Sequence, residues 1–107
     1  MRKQRRTFER MNVDMSIRFY CEQLPYNATM IDCTINGIGI NTLCNCLPCT
    51  YKVDLLIPLK TEILRLQSKI SRIKKTNDIH YNIGIEIVKP SQKYLDFCDS
   101  LSNIYTV

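Results

Sequence analysis

The sequence predicts a mostly β fold: six antiparallel strands closing into a barrel, followed by one C-terminal α-helix. Three observations predict it. Apolar residues recur at a period of two through most of the chain. Short turn signals separate the alternating segments, as hairpins require. Helical spacing takes over only beyond Pro90. Six antiparallel strands in 107 residues tend to close, because closure removes the sheet edges. That length suits a single domain, residues 1–107, with a basic arm at 1–11, a barrel at 12–89 and a helix at 91–105.

Val13, Met15, Ile17 and Phe19 alternate with Asp14, Ser16, Arg18 and Tyr20, the pattern of a half-buried strand. Glu22 to Asn27, containing Pro25, reads as a loop. Ala28 to Thr34 is apolar with strand propensity, Asn36-Gly37 signals a turn, and Ile38, Ile40 and Thr42 resume the alternation. Cys44 to Thr50, marked by Pro48, is a second turn. Val53, Leu55, Ile57 and Leu59 form the next strand, and Pro58 places it at an edge or marks its end. Between Thr61 and Lys75, Leu64, Leu66 and Ile70 fit one strand face. Ile63, Leu66, Ile70 and Ile73 fit a helical stripe almost as well. Antiparallel neighbours and short turns favour a strand, with a bulge near Ser71 carrying Ile73 onto the inner face. Asn77-Asp78 turns the chain back, and Tyr81, Ile83, Ile85 and Ile87 give the clearest strand. Ser91 then caps a helix on which Tyr94, Cys98, Leu101 and Tyr105 share a face, with Phe97 and Ile104 beside them.

Charge is unevenly placed. The chain carries 15 Lys+Arg against 10 Asp+Glu, a net charge of +5. Residues 1–10 hold Arg2, Lys3, Arg5, Arg6 and Arg10 against Glu9 alone, so +4 of that charge sits on the arm. The remainder is close to neutral, with 45% apolar residues overall. An anionic partner is therefore drawn to one place. No apolar run follows the charged N-terminus, and no segment reaches membrane-spanning length. The expected location is the cytoplasm, without membrane insertion.

Six cysteines without a secretion signal are expected to be reduced thiols. Cys44, Cys46 and Cys49 have a spacing that could share a zinc ion. A closed structural site needs four ligands, though, while His80 lies far along the chain and Cys21, Cys33 and Cys98 are scattered. Small apolar residues around a turn is the reading preferred, and no metal is expected. Lys69, Arg72, Lys74 and Lys75 read as a solvated strand face and loop. No nucleophile–base set, paired carboxylates or phosphate-cradling glycine loop is apparent, so an enzyme is not expected.

Two short elements carry the functional signal. The first is Arg5-Arg6-Thr7-Phe8-Glu9-Arg10; the second, about twenty residues on, is Asp32-Cys33-Thr34-Ile35-Asn36-Gly37. Guanidinium forks suit phosphate and the O6/N7 edge of guanine. Arg6 and Arg10, four residues apart, share a face in a strand or a helix. A carboxylate at Asp32 accepts from guanine N1–H and N2–H, a donor pair that adenine lacks. The Thr34 hydroxyl can donate to phosphate or base. Gly37 would permit a positive φ and a close approach of ligand to backbone.

These elements resemble the PilZ domains, a family that binds cyclic di-GMP. Its Arg-x-x-x-Arg motif reads Arg6-Thr7-Phe8-Glu9-Arg10 here, and its Asp/Asn-x-Ser-x-x-Gly motif reads Asp32-Cys33-Thr34-Ile35-Asn36-Gly37, with threonine for serine. Gly84, between Tyr81-Asn82-Ile83 and Ile85-Glu86-Ile87, fits the family's pattern near the end of the barrel. Ile38 stands where many members carry a second glycine, and its side chain is expected to crowd the ligand. The resemblance covers essentially the whole chain. It implies a PilZ-type barrel and a ligand site at Arg5, Arg6, Arg10, Asp32, Thr34 and Gly37, with cyclic di-GMP as ligand and no cofactor. Arg preceding the first motif implies an intercalated pair of ligands per chain. The expected role is a receptor or adaptor signalling through ligand-dependent contacts with an effector protein, in motility, adhesion or biofilm control. The alternatives are a PilZ-type adaptor without nucleotide binding, or a small basic barrel for single-stranded nucleic acid. Nucleic acid is disfavoured because basic and aromatic residues do not interleave on one strand.

Overall fold

The computed structural model describes residues 10–43, 52–77 and 79–105, with side chains as far as Leu101. The strands are β1 (Met11–Cys21), β2 (Leu24–Cys33), β3 (Gly37–Leu43), β4 (Lys52–Pro58), β5 (Ile63–Lys75) and β6 (His80–Ile87), and α1 spans Gln92–Tyr105. The barrel closes in the order β1-β2-β3-β6-β5-β4, with every pairing antiparallel. The strand reading of Thr61 to Lys75 holds, as does Pro58 as a strand end. Closure between β1 and β4 is short, setting Arg18, Phe19 and Tyr20 opposite Leu56, Leu55 and Asp54.

The period-two pattern becomes an inside and an outside. Phe19, Met30, Ile40, Leu55, Ile57 and Ile83 are fully buried within the barrel. Phe19 stacks on Tyr26 at 5.1 Å between ring centroids. Each large side chain buried this way contributes about 1.5–3 kcal/mol relative to exposure. The polar residues that enter the core are bonded. The Thr42 hydroxyl donates to the Asn27 carbonyl at 2.7 Å, and the Ser68 hydroxyl to the Leu66 carbonyl at 3.2 Å.

Two expectations need correction. Glu22 to Asn27 is not a loop, because β2 already begins at Leu24. The turn is Glu22-Gln23 alone, with φ of 51° and 71°, the geometry that joins strands through two residues. Pro25 is tolerated because β3 does not pair with β2 until Ala28. In the ladder alternation Pro25, opposite Tyr20, turns its nitrogen away from β1 to this unpaired side. The bulge near Ser71 is present, and it aligns Ile73 with Ile83. Ile73 nevertheless stays 47% exposed, because it lies beyond Lys69, the last β5 residue paired with β4 among the described residues.

The C-terminal helix starts where the sequence places it. The Tyr94 N–H donates to the Ser91 hydroxyl at 3.2 Å, an N-cap. Tyr94, Phe97, Cys98 and Leu101 are buried. Lys93 pairs with Glu62 of the β4–β5 turn at 2.7 Å, and the Tyr94 hydroxyl donates to the Thr34 carbonyl. The helix is thus tied to the turn that follows β2. The side chains of Ile104 and Tyr105 lie outside the described residues, as do Cys44, Cys46, Cys49 and Asp78. No helix among the described residues is long and apolar enough to cross a membrane.

Candidate functional site

Strict alternation would bury Asp32. Ala28 and Met30 face the core, and a residue two further on should follow them. The register shifts instead: Met30 lies opposite Ile40 and Asp32 opposite Gly39, so Ile31 is an extra residue. This β-bulge turns Asp32 to the outer surface and gives the inner position to Cys33, which is 1% exposed. β5 repeats the device. Ile70 lies opposite Ile85 and Arg72 opposite Gly84, with Ser71 as the extra residue, so Arg72 faces outward. A third irregularity lies between Asn12 and Met15 in β1.

The outer row across the sheet is then Asp32, Gly39, Gly84 and Arg72, one residue from each of β2, β3, β6 and β5. The two glycines are there for space. A Cβ on Gly39 would fall 2.5 Å from the Asp32 Oδ1, and one on Gly84 would fall 3.1 Å from the Arg72 Cζ. Each charged group lies across its neighbour's backbone. Beside them is an open depression of about 240 Å³. Arg10 borders it, with its Nε 3.8 Å from the Asp32 Oδ2. Arg10 is largely exposed and Asp32 is 24% exposed, so the pair adds at most about 1 kcal/mol to stability. What it offers is orientation.

The β2–β3 turn completes the rim. The Thr34 hydroxyl accepts the N–H groups of Asn36 at 3.1 Å and Gly37 at 3.2 Å. It therefore works as a turn acceptor, with its own proton still free to donate outward. Gly37 does not take a positive φ; no described glycine does. Its requirement is space, since a Cβ there would lie 2.8 Å from the Ile85 carbonyl oxygen on β6. Ile38 borders the depression but is 3% exposed and belongs to the hydrophobic core.

Of the residues singled out from the sequence, Arg10, Asp32, Thr34 and Gly37 meet at this depression. Arg5 and Arg6 lie outside the described residues. Sequence reasoning missed Gly39 and Arg72. The signal available was a break of apolar parity at Met30 to Cys33 and again at Ile70 to Ile73.

Beneath the rim, Cys33 and Cys98 meet although they are remote in sequence. A hydrogen bond from Cys33 to Cys98, with burial, pushes the Cys33 thiol well above its usual pKa, and accepting that bond lowers Cys98. Among the described residues, Cys21, Cys33 and Cys98 form no disulfide. No cluster of metal-ligating side chains occurs among the described residues.

A family model described as "PilZ domain" matches residues 4–98. No curated protein sequence matches the chain. Among solved structures, the Bacillus subtilis inhibitor of motility MotI/DgrA superposes with a TM-score of 0.65 at 13% identity, over 92% of this chain and 51% of that one. The PlzA protein of Borreliella burgdorferi, solved in complex with c-di-GMP, superposes with a TM-score of 0.63 at 8% identity, over 96% and 54%. This chain thus spans about half the length of each, and at such identities the likeness is one of fold. The family match extends over the whole barrel described above and into the C-terminal helix: the chain belongs to the PilZ domain family.

Proposed function

We propose that this protein is a cyclic di-GMP receptor whose liganded form is read by another protein. The observation that carries the reading is the placement of Asp32. A β-bulge brings its carboxylate to the surface, and a glycine leaves room for it. There it sits beside Arg10 in a depression that its sequence motif borders. A carboxylate so held suits the N1–H and N2–H donors of guanine. PlzA, similar in fold, was solved with the same dinucleotide.

The depression, about 240 Å³, is smaller than the roughly 300–1,000 Å³ that usually encloses a whole ligand. It has room for a base. The phosphates and the second guanine fall to the basic arm, with Arg5 and Arg6 joining Arg10. A stacked ligand pair brings four negative charges; Arg5, Arg6 and Arg10 supply three positive ones, with Arg2 and Lys3 close by in the sequence, so two molecules per chain are expected at saturation. The protein acts as a binding module in the cytoplasm and not as an enzyme. Its output is a contact with an effector, in motility, adhesion or biofilm control. The fold likeness to a motility inhibitor favours the first.

Calorimetric titration of the whole chain with cyclic di-GMP, cyclic di-AMP and a single-stranded RNA tests this. Saturable binding of cyclic di-GMP, far tighter than of cyclic di-AMP, is expected. Binding of neither dinucleotide would leave an adaptor without ligand, and preference for RNA would make the barrel a nucleic-acid binder.

A further inference from the structure

Arg72 stands at the far end of the glycine row, across the sheet from Asp32. Along the same strand, Lys69 pairs with Glu86 at 3.8 Å and Arg65 with Asp54 at 3.2 Å. Arg72 has no carboxylate partner among the described residues. It nevertheless does not simply extend into solvent. Its guanidinium lies over Gly84, where a Cβ would meet the Cζ at 3.1 Å and both terminal nitrogens at 3.3 Å.

Gly39 and Gly84 are direct partners across β3 and β6, so their Cα atoms are about 4.5–5.5 Å apart. The Asp32 carboxylate lies on the first and the Arg72 guanidinium on the second. They form no ion pair with each other among the described residues. An acceptor and a forked donor thus stand side by side, roughly a purine's width apart, over backbone that carries no side chain. Guanine presents the complementary pattern around its ring: N1–H and N2–H donors on one edge, O6 and N7 acceptors on the next.

We propose that Arg72 is a specificity-determining residue of this site, taking the O6/N7 edge of the same guanine whose N1–H and N2–H groups Asp32 takes. The proposal rests on the cyclic di-GMP reading above and sharpens it. Recognition of this base falls to the glycine row, and the arginines of the arm are left to the phosphates and the second guanine. It also gives a second reason for rejecting adenine, whose N6 amino group would turn a donor toward the guanidinium.

The test crosses two ligands with three proteins. The unaltered chain, Arg72→Ala and Gly84→Ala are each titrated with cyclic di-GMP and with its 7-deaza analogue, in which carbon replaces N7. The unaltered protein is expected to prefer cyclic di-GMP about tenfold, the scale of one hydrogen bond to a charged group. Arg72→Ala is expected to bind cyclic di-GMP at least tenfold more weakly and to lose the preference. Gly84→Ala keeps the charge but displaces the fork, and it too is expected to lose the preference while unfolding at nearly the unaltered temperature. If Arg72→Ala weakens both ligands equally and the preference survives, the arginine is a phosphate contact and the proposal is overturned. An unaltered protein that binds cyclic di-GMP without preferring it over the analogue overturns the proposal while leaving the function intact. Failure to bind cyclic di-GMP at all overturns both.

Discussion

β2 and β5 each have two halves that obey different rules. In the first half of β5, Leu64, Leu66, Ser68 and Ile70 point inward at every second residue, and all are buried. After Ser71 the parity changes, and every residue from Ser71 to Lys75 is exposed. β2 alternates regularly through Ala28 and Met30, then shifts at Ile31. The regular halves build a core, and the bulged halves build a site. The partner strands β3 and β6 stay regular beside both bulges and contribute glycine at the facing positions. One inserted residue per strand therefore converts a position that hydrophobic burial would claim into one where a charge can meet a ligand. This is cheaper than placing the charge inside, where an unpaired carboxylate would cost several kcal/mol.

The largest expected effect breaks the comparison on its structural side. Phe19→Ala removes a fully buried ring that stacks on Tyr26, and should lower unfolding free energy by about 3–5 kcal/mol. Asp32→Ala in the bulged half should cost at most about 1 kcal/mol, since its ion pair with Arg10 is solvated. Urea unfolding measures both. Similar losses for the two would mean that an outward residue of a bulged half contributes to stability as a core residue does.

Affinity should show the opposite order. Asp32→Ala should weaken cyclic di-GMP binding by about 1.5–3 kcal/mol, the scale of a hydrogen bond to a charged group. It should also erase most of the preference over cyclic di-AMP. Calorimetry on the folded variant reads both, and an undiminished preference would remove Asp32 from base recognition.

A smaller effect separates the glycine from the carboxylate that it accommodates. Gly39→Ala places a Cβ 2.5 Å from the Asp32 Oδ1, which a flexible side chain can avoid only by leaving its preferred rotamer. The displacement should cost about 0.5–1.5 kcal/mol, appearing as lost affinity. Stability should change little, because alanine suits a strand no worse than glycine does. An unchanged affinity would show that the position of the carboxylate is not set by Gly39.

Much of this fold was legible because its inner and outer faces differ in polarity. Val13 to Phe19 and Tyr81 to Ile87 announce their strands, and Ser91 announces its helix. The errors share a cause. Pro25 looked like a loop residue because the cost of a proline depends on which neighbour its nitrogen faces, and the sequence does not show the neighbours. Gly37 suggested a positive φ because it closes a turn, whereas its true constraint is the Ile85 carbonyl, some fifty residues away in sequence. Asp32 was found through its motif. Arg72 was not, because it reaches the site only through a bulge whose consequence was assigned to Ile73 instead. Local patterns are read from local sequence, whereas a site assembled across four strands depends on register.

The smallest effect tests how the site is tied to the helix. Tyr94 is fully buried, and its hydroxyl donates to the carbonyl of Thr34, the residue whose side chain organises the β2–β3 turn. Tyr94→Phe should cost about 0.5–1.5 kcal/mol of stability, the net worth of one hydrogen bond, partly offset by the Cys98 thiol, which donates to the same carbonyl at 3.9 Å. The loss should depend on pH. Burial, with the neighbouring Cys98 and Cys33, pushes the Tyr94 phenol above its ordinary value of 10.0. The folded chain therefore keeps a proton that the unfolded chain releases. Stability from this group is complete below about pH 10 and falls as pH rises beyond it. The Cys33 thiol, also raised, adds a loss of the same sign beginning near its ordinary value, whereas the Cys98 thiol, lowered by its bonds with Cys33 and Tyr94, contributes the opposite sign at lower pH. Urea midpoints should thus differ most near neutral pH and converge above about pH 10, because the phenylalanine variant has no phenol to titrate. A gap that stays constant into that range would mean that Tyr94 ionises as readily in the folded chain as in the unfolded one, and no gap at neutral pH would mean that its hydroxyl does not hold the turn to the helix.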